Sequence, residues 1–539
     1  MSIRVYNTLS RKKEEFIPRD KGKISVYICG PTVYNYIHIG NARCYIAFDA
    51  IIRYLKFRGR EVFYARNITD VDDKILNRAR EEGTEPADVA DKYTKAFEDD
   101  MKLLGVGPPD VSPKATEHIP EMLKMVETLI KKGYAYEAKG DVFFDITKFE
   151  EYGKLSHRTL EEMRAGERIE PSPNKRNPLD FALWKKAKAG EISWSSPWGE
   201  GRPGWHLECS IMSLKYLNMG FDIHGGGQDL IFPHHENEIA QSEASTGEKP
   251  FVRYWLHNGF VNVDQEKMAK SLGNVVLVRD FFIDPDNEAL SYIFAGALRI
   301  LFLSTHYRSP IDFSIDKLNE TIQAYNSLED TVGYLKGLVA PPGESKEAEG
   351  KTEKKLEAKI RSAKEKFVTV MDDDFNTATA LGLIFSLRNE TEAFLKGAAF
   401  PLNVISFKLL KESAETLTTL GGVLGLNLGQ FELYKFLSWL PETAIEALLQ
   451  VYTAVCRDLT PESERELLEN RQGLKGVVGK ILEKRDELRK GKDWERADEI
   501  RTKLKASALE VEDTASGPRL KFSFAQGINL LKQEIKTKT

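Results

Sequence analysis

The stretch from Tyr27 to Asn41 constrains the fold of this chain most, because it joins a strand pattern to a helix pattern through a loop with glycines. The residues that lead into it, Ile24–Ile28, are largely apolar, as in a buried strand. Those that follow, Ala42–Arg58, carry apolar side chains at helical spacing. Such a junction points helix N–H groups and the positive end of the helix dipole above the strand, where phosphate groups bind. The sequence therefore predicts a nucleotide-binding α/β domain.

Further strand patterns follow that indicate a parallel sheet. Glu61–Arg66 has the pattern of a second strand, and the polar turn Asn67–Lys74 leads from it into another helix. A third strand pattern, Phe221–His224, precedes the glycines Gly225–Gly227 and a helix that stops at Gly247. Strands that alternate with helices in this way favour βαβ units and a Rossmann-type fold.

Two regions depart from this alternation. Between about residues 108 and 204, short strand-like pieces and long polar connections indicate an insertion in the nucleotide-binding domain. Beyond Pro310 almost every pattern is helical, apart from a linker rich in proline, glycine and charge at residues 340–347. We therefore expect a Rossmann-type catalytic domain with a parallel sheet and an insertion, followed by mostly helical domains.

The length and charge of the chain limit what it can bind. At 539 residues it should divide into roughly three or four domains. A net charge of −5 excludes a globally basic protein, so any nucleic acid must be bound by local basic faces. One candidate is Lys484–Lys505, where nine basic and six acidic side chains leave a local charge of 9 − 6 = +3. On composition alone, this run is more typical of a solvated charged helix.

The sequence also predicts a cellular location. Charges interrupt every long apolar run, and the N-terminal residues lack the apolar core of a secretion signal, so we expect a cytoplasmic protein that does not enter a membrane. Four cysteines are too few for a disulfide framework in a chain of this length. In a reducing compartment, cysteines near histidines are better treated as candidates for metal binding or catalysis.

His234 and Glu238 are the clearest metal-binding candidates. They are four residues apart, so on a helix their side chains would project from one face and could hold one cation. Cys29 and Cys209 would make such a site more suitable for zinc, although buried cysteines are more often core residues. Cys44 is interpreted as a core residue. No CxxC pair is present, so spacing alone leaves both interpretations open.

Two short motifs suit phosphate chemistry. His38-Ile39-Gly40-Asn41 follows a strand pattern and starts a helix pattern, which fits either a phosphate site or an ordinary helix cap. Lys267 and Lys270 lie three residues apart in a glycine-containing segment, which fits either a loop that clamps a triphosphate or a solvated turn.

Together these motifs resemble the two signatures of the class I aminoacyl-tRNA synthetases, His38–Asn41 and Lys267–Ser271, in the same order and at a similar separation. Within that class the chain resembles the cysteinyl-tRNA synthetase family. The resemblance is close from the N-terminus to about Ser309, and it is carried by Cys29–Tyr34, Asn67–Asp70, Gly204–His206, Asp222–Gly227 and Phe232–Glu238. Further islands are Asp372–Thr377 and Lys492–Asp498.

This resemblance implies one zinc ion, bound by Cys29, Cys209, His234 and Glu238, that would bind the thiolate of the substrate cysteine. A serine hydroxyl is a far poorer ligand for zinc at neutral pH, so it would be rejected without an editing domain. The family's amino-acid pocket maps onto Cys29, Thr69, Trp205, His224 and Asp229.

The implied reaction forms cysteinyl-adenylate from L-cysteine and ATP, which binds with Mg²⁺, and then transfers cysteine to the 3′ end of tRNA(Cys). The resemblance assigns His38, Gly40 and Asn41 to ATP, and Lys267 and Lys270 to the leaving pyrophosphate. His38, Asn41 and the two lysines are the expected catalytic residues.

The chain departs from the family pattern in places. Ala269 replaces the usual serine of the lysine loop, and residues 517–521 lack the tryptophan that family members tend to carry there. The linker near residue 340 and the segment between residues 430 and 482 look longer than usual. Residues that contact the anticodon are therefore not assigned.

We expect a monomer with the following division: residues 1–115 and 216–318 form the two halves of the catalytic domain, 116–215 the insertion, 319–430 a helical bundle and 431–539 an anticodon-binding region. Two alternatives stay open. One is a cysteine-activating ligase with an amino-sugar acceptor, which the long tail disfavours. The other is a non-catalytic tRNA-binding protein, which the intact His38, Lys267 and Lys270 disfavour.

Overall fold

A computed structural model describes residues 2–159, 161–163, 173–188, 190–268, 272–282, 288–341, 350–399, 401–429, 442–456, 473–514 and 517–522. The chain divides into two compact units. The first comprises residues 1–281, 305–313 and 369–377, and the second comprises residues 282–304, 314–368 and 378–539. Within the described ranges, every helix is too short or too polar to cross a membrane.

The strands of both units are numbered in chain order. They are β1 (Arg4–Asn7), β2 (Lys12–Glu15), β3 (Lys23–Ile28), β4 (Glu61–Arg66), β5 (Ala135–Ala138), β6 (Asp141–Phe144), β7 (Phe181–Lys186), β8 (Gly201–Pro203), β9 (Phe221–Gly227), β10 (Val252–Asn258), β11 (Val261–Val263), β12 (Glu266–Lys267), β13 (Ile311–Phe313), β14 (Leu509–Thr514) and β15 (Gly517–Phe522).

The α-helices are numbered in the same way. They are α1 (Ile39–Phe57), α2 (Asp73–Glu82), α3 (Pro86–Leu103), α4 (Ile119–Lys131), α5 (Trp205–Leu217), α6 (Glu236–Thr246), α7 (Glu288–Leu303), α8 (Ile315–Gly337), α9 (Lys351–Asp372), α10 (Thr377–Gly397), α11 (Val404–Val423), α12 (Glu442–Cys456), α13 (Leu474–Lys490) and α14 (Trp494–Ala506).

The first unit is built on a parallel sheet with the strand order β10-β9-β3-β4. Strand β3 is buried along almost its whole length, as expected of a strand covered on both faces. Helix α1 follows β3 and returns the chain to β4, which forms the βαβ unit that the sequence predicts. The predicted Rossmann-type parallel sheet is therefore confirmed.

Helix α1 begins at Ile39, three residues before the start that apolar spacing predicts, because His38 caps it. The Asn41 N–H donates to His38 Nδ1 over 3.3 Å, and the His38 N–H donates to Asn41 Oδ1 over 3.2 Å. This reciprocal capping box satisfies backbone groups that a helix start otherwise leaves unpaired. The interpretation of these residues as a helix cap is therefore correct, and it leaves the phosphate interpretation open.

Strand β9 continues through the three glycines, which the sequence pattern places after the strand. The reason is close packing. A Cβ at Gly225 would lie 2.3 Å from Cε1 of Phe48 on α1, so only glycine lets the helix approach this strand. Gly225 therefore serves helix–sheet packing within the strand.

The region between β4 and β9 contains an antiparallel sheet with the order β5-β6-β7-β8. Its apolar side chains join those of α4, α5 and the parallel sheet in one hydrophobic cluster, which includes Phe144, Trp184, Leu207 and Trp255. A shared core of this kind fixes α5 relative to β3 and β9. The division into domains that the sequence predicts remains a prediction.

The second unit is mostly helical, as the sequence predicts. In its first part, Arg299 of α7 donates to the carbonyl of Leu424, and the Tyr325 hydroxyl of α8 donates to the carbonyl of Leu426. Its last described part packs α12, α13 and α14 around a separate apolar cluster. The antiparallel hairpin β14-β15, which packs on α14, was not predicted from the sequence.

Candidate active site

Four buried side chains meet at the carboxyl end of the parallel sheet, where ligands bind in open α/β folds. Cys29 directly follows β3, and Cys209 lies on α5. His234 lies in a wide turn, Ile231–His235, and Glu238 lies in the first turn of α6. His234 thus precedes the helix that the sequence pattern assigns to it, although the two side chains still meet.

The ligand atoms of Cys29, Cys209, His234 and Glu238 all lie within 4.8 Å of one another. The two sulfur atoms are 3.8 Å apart, and His234 Nε2 lies 3.0 Å from Glu238 Oε1. Each side chain is at most 7% exposed, and both cysteines are free thiols. Two sulfurs, one imidazole and one carboxylate form a donor set that suits zinc.

A second set of potential ligands overlaps the first. Cys29, His224, His235 and Glu238 also bring ligand atoms within 4.8 Å of one another. His224 Nε2 lies 3.0 Å from Glu238 Oε2, and His235 Nε2 lies 3.3 Å from Cys29 Sγ. Sequence reasoning did not single out His235. The only signal was its position beside His234, and neighbouring residues in a turn need not face the same site.

The pKa values in this cluster favour negative charge on Cys209 and Glu238 and positive charge on His234. A hydrogen bond with Cys29 lowers the pKa of Cys209 to about 6. Burial would by itself raise the pKa of Glu238, but the adjacent imidazoles His224 and His234 lower it to about 2. Burial would likewise lower the pKa of His234, but the Glu238 carboxylate raises it to about 10. The raised pKa of His234 indicates that this pocket favours a positive charge next to Glu238, which a metal cation can also supply.

The other predicted pocket residues surround this cluster to different degrees. Trp205, 37% exposed, stacks on His234 with ring centroids 4.1 Å apart. Thr69 is buried, and its hydroxyl accepts a hydrogen bond from the Asn67 amide over 3.3 Å. Asp229 is exposed in the turn after β9 and belongs to neither ligand set.

Gly30 explains how the loop after β3 can lie so close to its neighbour. Its N–H donates to Asn67 Oδ1 over 2.8 Å, and a Cβ at this position would lie 1.6 Å from the Asn67 carbonyl oxygen. Only glycine permits this approach. The contact fixes the backbone directly after Cys29 against the end of β4.

The His38–Asn41 motif lies beside the lysine segment. Residues on either side of the segment are held: Lys267 pairs with Asn262 across β11 and β12, and Leu277 forms an isolated bridge with His38. A Cβ at Gly40 would lie 3.1 Å from the Met268 side chain. Lys267 lies in β12, and Lys270 lies outside the described residues. Met268 of the lysine segment therefore lies next to Gly40 at the start of α1.

Comparison with protein families matches residues 15–323 to the catalytic domain of class I (C) tRNA synthetases and residues 366–429 to the DALR domain. The chain is 46% identical to the cysteine–tRNA ligase of Heliobacterium modesticaldum, with 97% of this chain and 100% of that protein covered. It is also 46% identical to that of Carboxydothermus hydrogenoformans, with 96% and 100% covered.

Among solved structures, the fold is similar to methionyl-tRNA synthetase of Mycobacterium tuberculosis bound by methionyl-adenylate. The TM-score is 0.56 at 14% identity, with 82% of this chain and 96% of that chain covered. At this identity the likeness concerns the fold, which agrees with the parallel sheet described above. The full-length matches are more specific, and they show that the chain belongs to the cysteine–tRNA ligase family of class I tRNA synthetases.

Proposed function

We propose that this chain activates L-cysteine with ATP and transfers it to tRNA(Cys), and that a zinc ion held by Cys29, Cys209, His234 and Glu238 selects the substrate. One observation carries the zinc part of the proposal. Four ligand atoms of the right chemical types lie within 4.8 Å of one another at the carboxyl end of the sheet. The cysteine–tRNA ligase part rests on relatives that match almost the whole chain.

The donor set supports zinc over harder cations. Thiolate and imidazole ligands favour zinc, whereas Mg²⁺ and Ca²⁺ prefer oxygen ligands. When bound, zinc would take the sulfur of the substrate as a thiolate ligand, which serine cannot supply. A site that depends on one strong bond rejects an analogue that lacks the bonding atom, so an editing site would not be needed.

The surrounding side chains would shape the amino-acid pocket. Trp205, at the exposed edge of the cluster, would cover the substrate next to His234, on which it stacks. His224 would hold the Glu238 carboxylate in place through its 3.0 Å contact. Thr69, with its backbone N–H hydrogen bonded to the Pro31 carbonyl, would form the opposite wall. Asp229 would contact substrate groups outside the buried cluster.

ATP would bind where α1 begins. The capping box of His38 and Asn41 holds the first turn of this helix, whose N-terminus favours anionic phosphate. Gly40 has no side chain, which lets the His38 ring and the Met268 side chain lie close to this first turn. Lys267 and Lys270, together with Mg²⁺, would stabilise the charge that develops on the pyrophosphate.

The reaction has two balanced steps. An oxygen of the cysteine carboxylate bonds to the α-phosphorus of ATP, and the bond from that phosphorus to pyrophosphate breaks. A terminal ribose hydroxyl of the tRNA then bonds to the activated carbonyl carbon and loses its proton, while AMP leaves. Positioning and charge stabilisation would supply most of the acceleration. We further propose that the enzyme acts as a cytoplasmic monomer.

The proposal is tested first by cysteine-dependent exchange of pyrophosphate into ATP and then by charging of a tRNA(Cys) transcript. We expect both activities in zinc-loaded protein, with no exchange on serine. Exchange without charging would favour the ligase with an amino-sugar acceptor. Absence of exchange in zinc-loaded protein would contradict both ligase functions and favour a non-catalytic tRNA-binding protein.

A further inference from the structure

A line of hydrogen bonds leaves the proposed metal ligands through His235 and ends at Thr8. Cys29 Sγ lies 3.3 Å from His235 Nε2, and His235 Nδ1 lies 2.8 Å from His257 Nε2. On the far side of the second ring, His257 Nδ1 lies 2.8 Å from the Thr8 hydroxyl oxygen. These contacts join residues that are 249 and 22 positions apart in the chain, so the fold has brought them into line.

Burial without a carboxylate partner favours the neutral form of both imidazoles of this line. His235 and His257 are 0% and 3% exposed, and each of their ring nitrogens faces a partner within the line. The carboxylate oxygen of Glu238 lies 4.0 Å from His235 Nε2, too far for a hydrogen bond that would hold a positive charge there. A neutral imidazole carries one N–H and one acceptor nitrogen, so the direction of one bond fixes the direction of the next.

The Cys29 sulfur sets this direction. As a metal ligand it is a thiolate and can only accept a hydrogen bond, so His235 must carry its hydrogen on Nε2. His235 Nδ1 then has to accept, which places the hydrogen of His257 on Nε2. His257 Nδ1 accepts in turn, and the Thr8 hydroxyl must be the donor that completes the line.

We propose that Thr8 and His257 are positioning residues that hold His235 in the tautomer whose Nε2–H donates to the Cys29 sulfur, and so exclude His235 from the metal. The inference rests on the proposed zinc site. It also explains why one of two overlapping ligand sets would be used. An imidazole nitrogen that carries hydrogen cannot bind a metal ion, so the set that includes His235 is unavailable.

The hydrogen bond would also adjust the metal centre. An N–H donor withdraws negative charge from a thiolate, and partners of this kind orient metal ligands and change metal affinity. The proposed centre already combines two thiolates with a carboxylate, and it must still accept the anionic sulfur of the substrate. A hydrogen-bond donor on Cys29 reduces the negative charge that this ligand contributes to the zinc ion. The zinc ion can then accept the substrate sulfur more readily.

The Thr8 hydroxyl is held firmly enough to act in this way. The Thr8 backbone N–H donates to the carbonyl of Trp255 over 2.9 Å, two residues before His257 on β10. The preceding residue, Asn7, accepts from the Trp255 N–H over 3.0 Å and donates to the Arg253 carbonyl over 2.9 Å. The end of β1 is therefore fixed against the strand that carries His257.

Thr8→Val and Thr8→Ser form a matched pair, since valine keeps the shape and serine keeps the hydroxyl. We expect Thr8→Val to release zinc to a chelator about tenfold faster, in the range found for residues that support metal ligands. X-ray absorption of the zinc-loaded variant should show more nitrogen and less sulfur coordination, because His235 becomes free to bind. Thr8→Ser should match the wild type in both measurements. Thr8→Val protein that matches the wild type would overturn the inference.

A second measurement reads the tautomers in the wild-type chain itself. Carbon and nitrogen chemical shifts of isotope-labelled histidine in zinc-loaded wild-type protein report the tautomer of each ring, with signals assigned from single histidine substitutions. Hydrogen on Nε2 of both His235 and His257 is expected, and hydrogen on Nδ1 of either would contradict the inference. Wild-type protein that binds no zinc would overturn the proposed metal centre together with this inference, whereas a normal zinc content with the wrong tautomers would overturn the inference alone.

Discussion

Glu238 Oε2 lies 3.0 Å from His224 Nε2, while the other carboxylate oxygen lies 3.0 Å from His234 Nε2. A glutamine at position 238 would keep the shape but lose one acceptor and the negative charge. We expect Glu238→Gln to weaken zinc binding by more than about 100-fold, the upper end found for residues that merely support a ligand. Zinc content after dialysis and competition with a chelator measure this.

Glu236→Gln is the matched control for that variant. Glu236 is as buried as Glu238, but its carboxylate accepts the N–H groups of Leu155 and Ser156. Its replacement should cost about 1–3 kcal/mol of stability, as expected when buried hydrogen bonds are weakened. Its zinc content should not change. Equal zinc loss in the two variants would mean that general destabilisation, and not a lost ligand, explains the result.

Cys209→Ser should remove zinc and cysteine activation together, because a serine hydroxyl is a poor zinc ligand. Cys44→Ser changes the same atom at a site outside both ligand sets and should keep zinc and pyrophosphate exchange. Metal analysis and exchange assays on both proteins check the prediction. Unaltered zinc content in purified Cys209→Ser protein would count against the proposed site.

Gly40→Ala should slow pyrophosphate exchange although alanine favours helices. The added Cβ would lie 3.0 Å from the His38 ring and 3.1 Å from the Met268 side chain. Overpacking costs about 1–3 kcal/mol, and the middle of that range corresponds to a loss of roughly 30-fold in rate. Met268→Ala should restore most of the loss in the double variant, because it removes one of the two contacts. No recovery would show that the contact with Met268 is unimportant.

The buried carboxyl of Asp100 should make the stability of the folded state depend on pH. Burial raises the pKa of its carboxyl from 3.8 to about 6, although Arg279 lies 2.8 Å away and opposes this rise. The folded state thus binds this proton more tightly than the unfolded chain. Its stabilising contribution is present below about pH 4 and is lost as the pH rises through about 6.

Asp100→Asn lacks this titration. Its free energy of unfolding should therefore rise relative to that of the wild type as the pH increases from about 4 to about 7. Urea unfolding at a series of pH values measures the difference. Asp99→Asn, at the exposed neighbouring position, controls for the loss of one charge. A difference between Asp100→Asn and wild type that stays constant with pH would contradict the prediction.

Local patterns predicted the elements that depend on neighbouring residues. Strand β3 and helix α1 were recognised from apolar spacing, but the start of α1 depends on the reciprocal hydrogen bonds of His38 and Asn41. The extent of β9 could not be foreseen, because the reason for Gly225 lies in Phe48 on another element. Glycines suggest a loop until their packing partner is known.

The candidate site could likewise be predicted from the sequence only in part. Spacing suggested only the pair His234 and Glu238, and the two cysteines joined them through family resemblance. His235, His257 and Thr8 were missed because their relationship is a line of contacts across three segments of the chain. No periodicity encodes such a line. The lysine motif was recognised from its residue types, while its contact with Gly40 through Met268 required the fold.

The pairing of His38 with Leu277 has an entropic consequence. The Ile39 N–H donates to the Val276 carbonyl over 3.0 Å, and the Val278 N–H donates to the Ile37 carbonyl over 3.0 Å. Together with the strand pair β11-β12, these bonds fix Lys267 and Val276, so the chain freedom that their fixing removes is lost during folding. Met268, in the second signature motif, is thereby kept at a high effective concentration near Gly40 of the first.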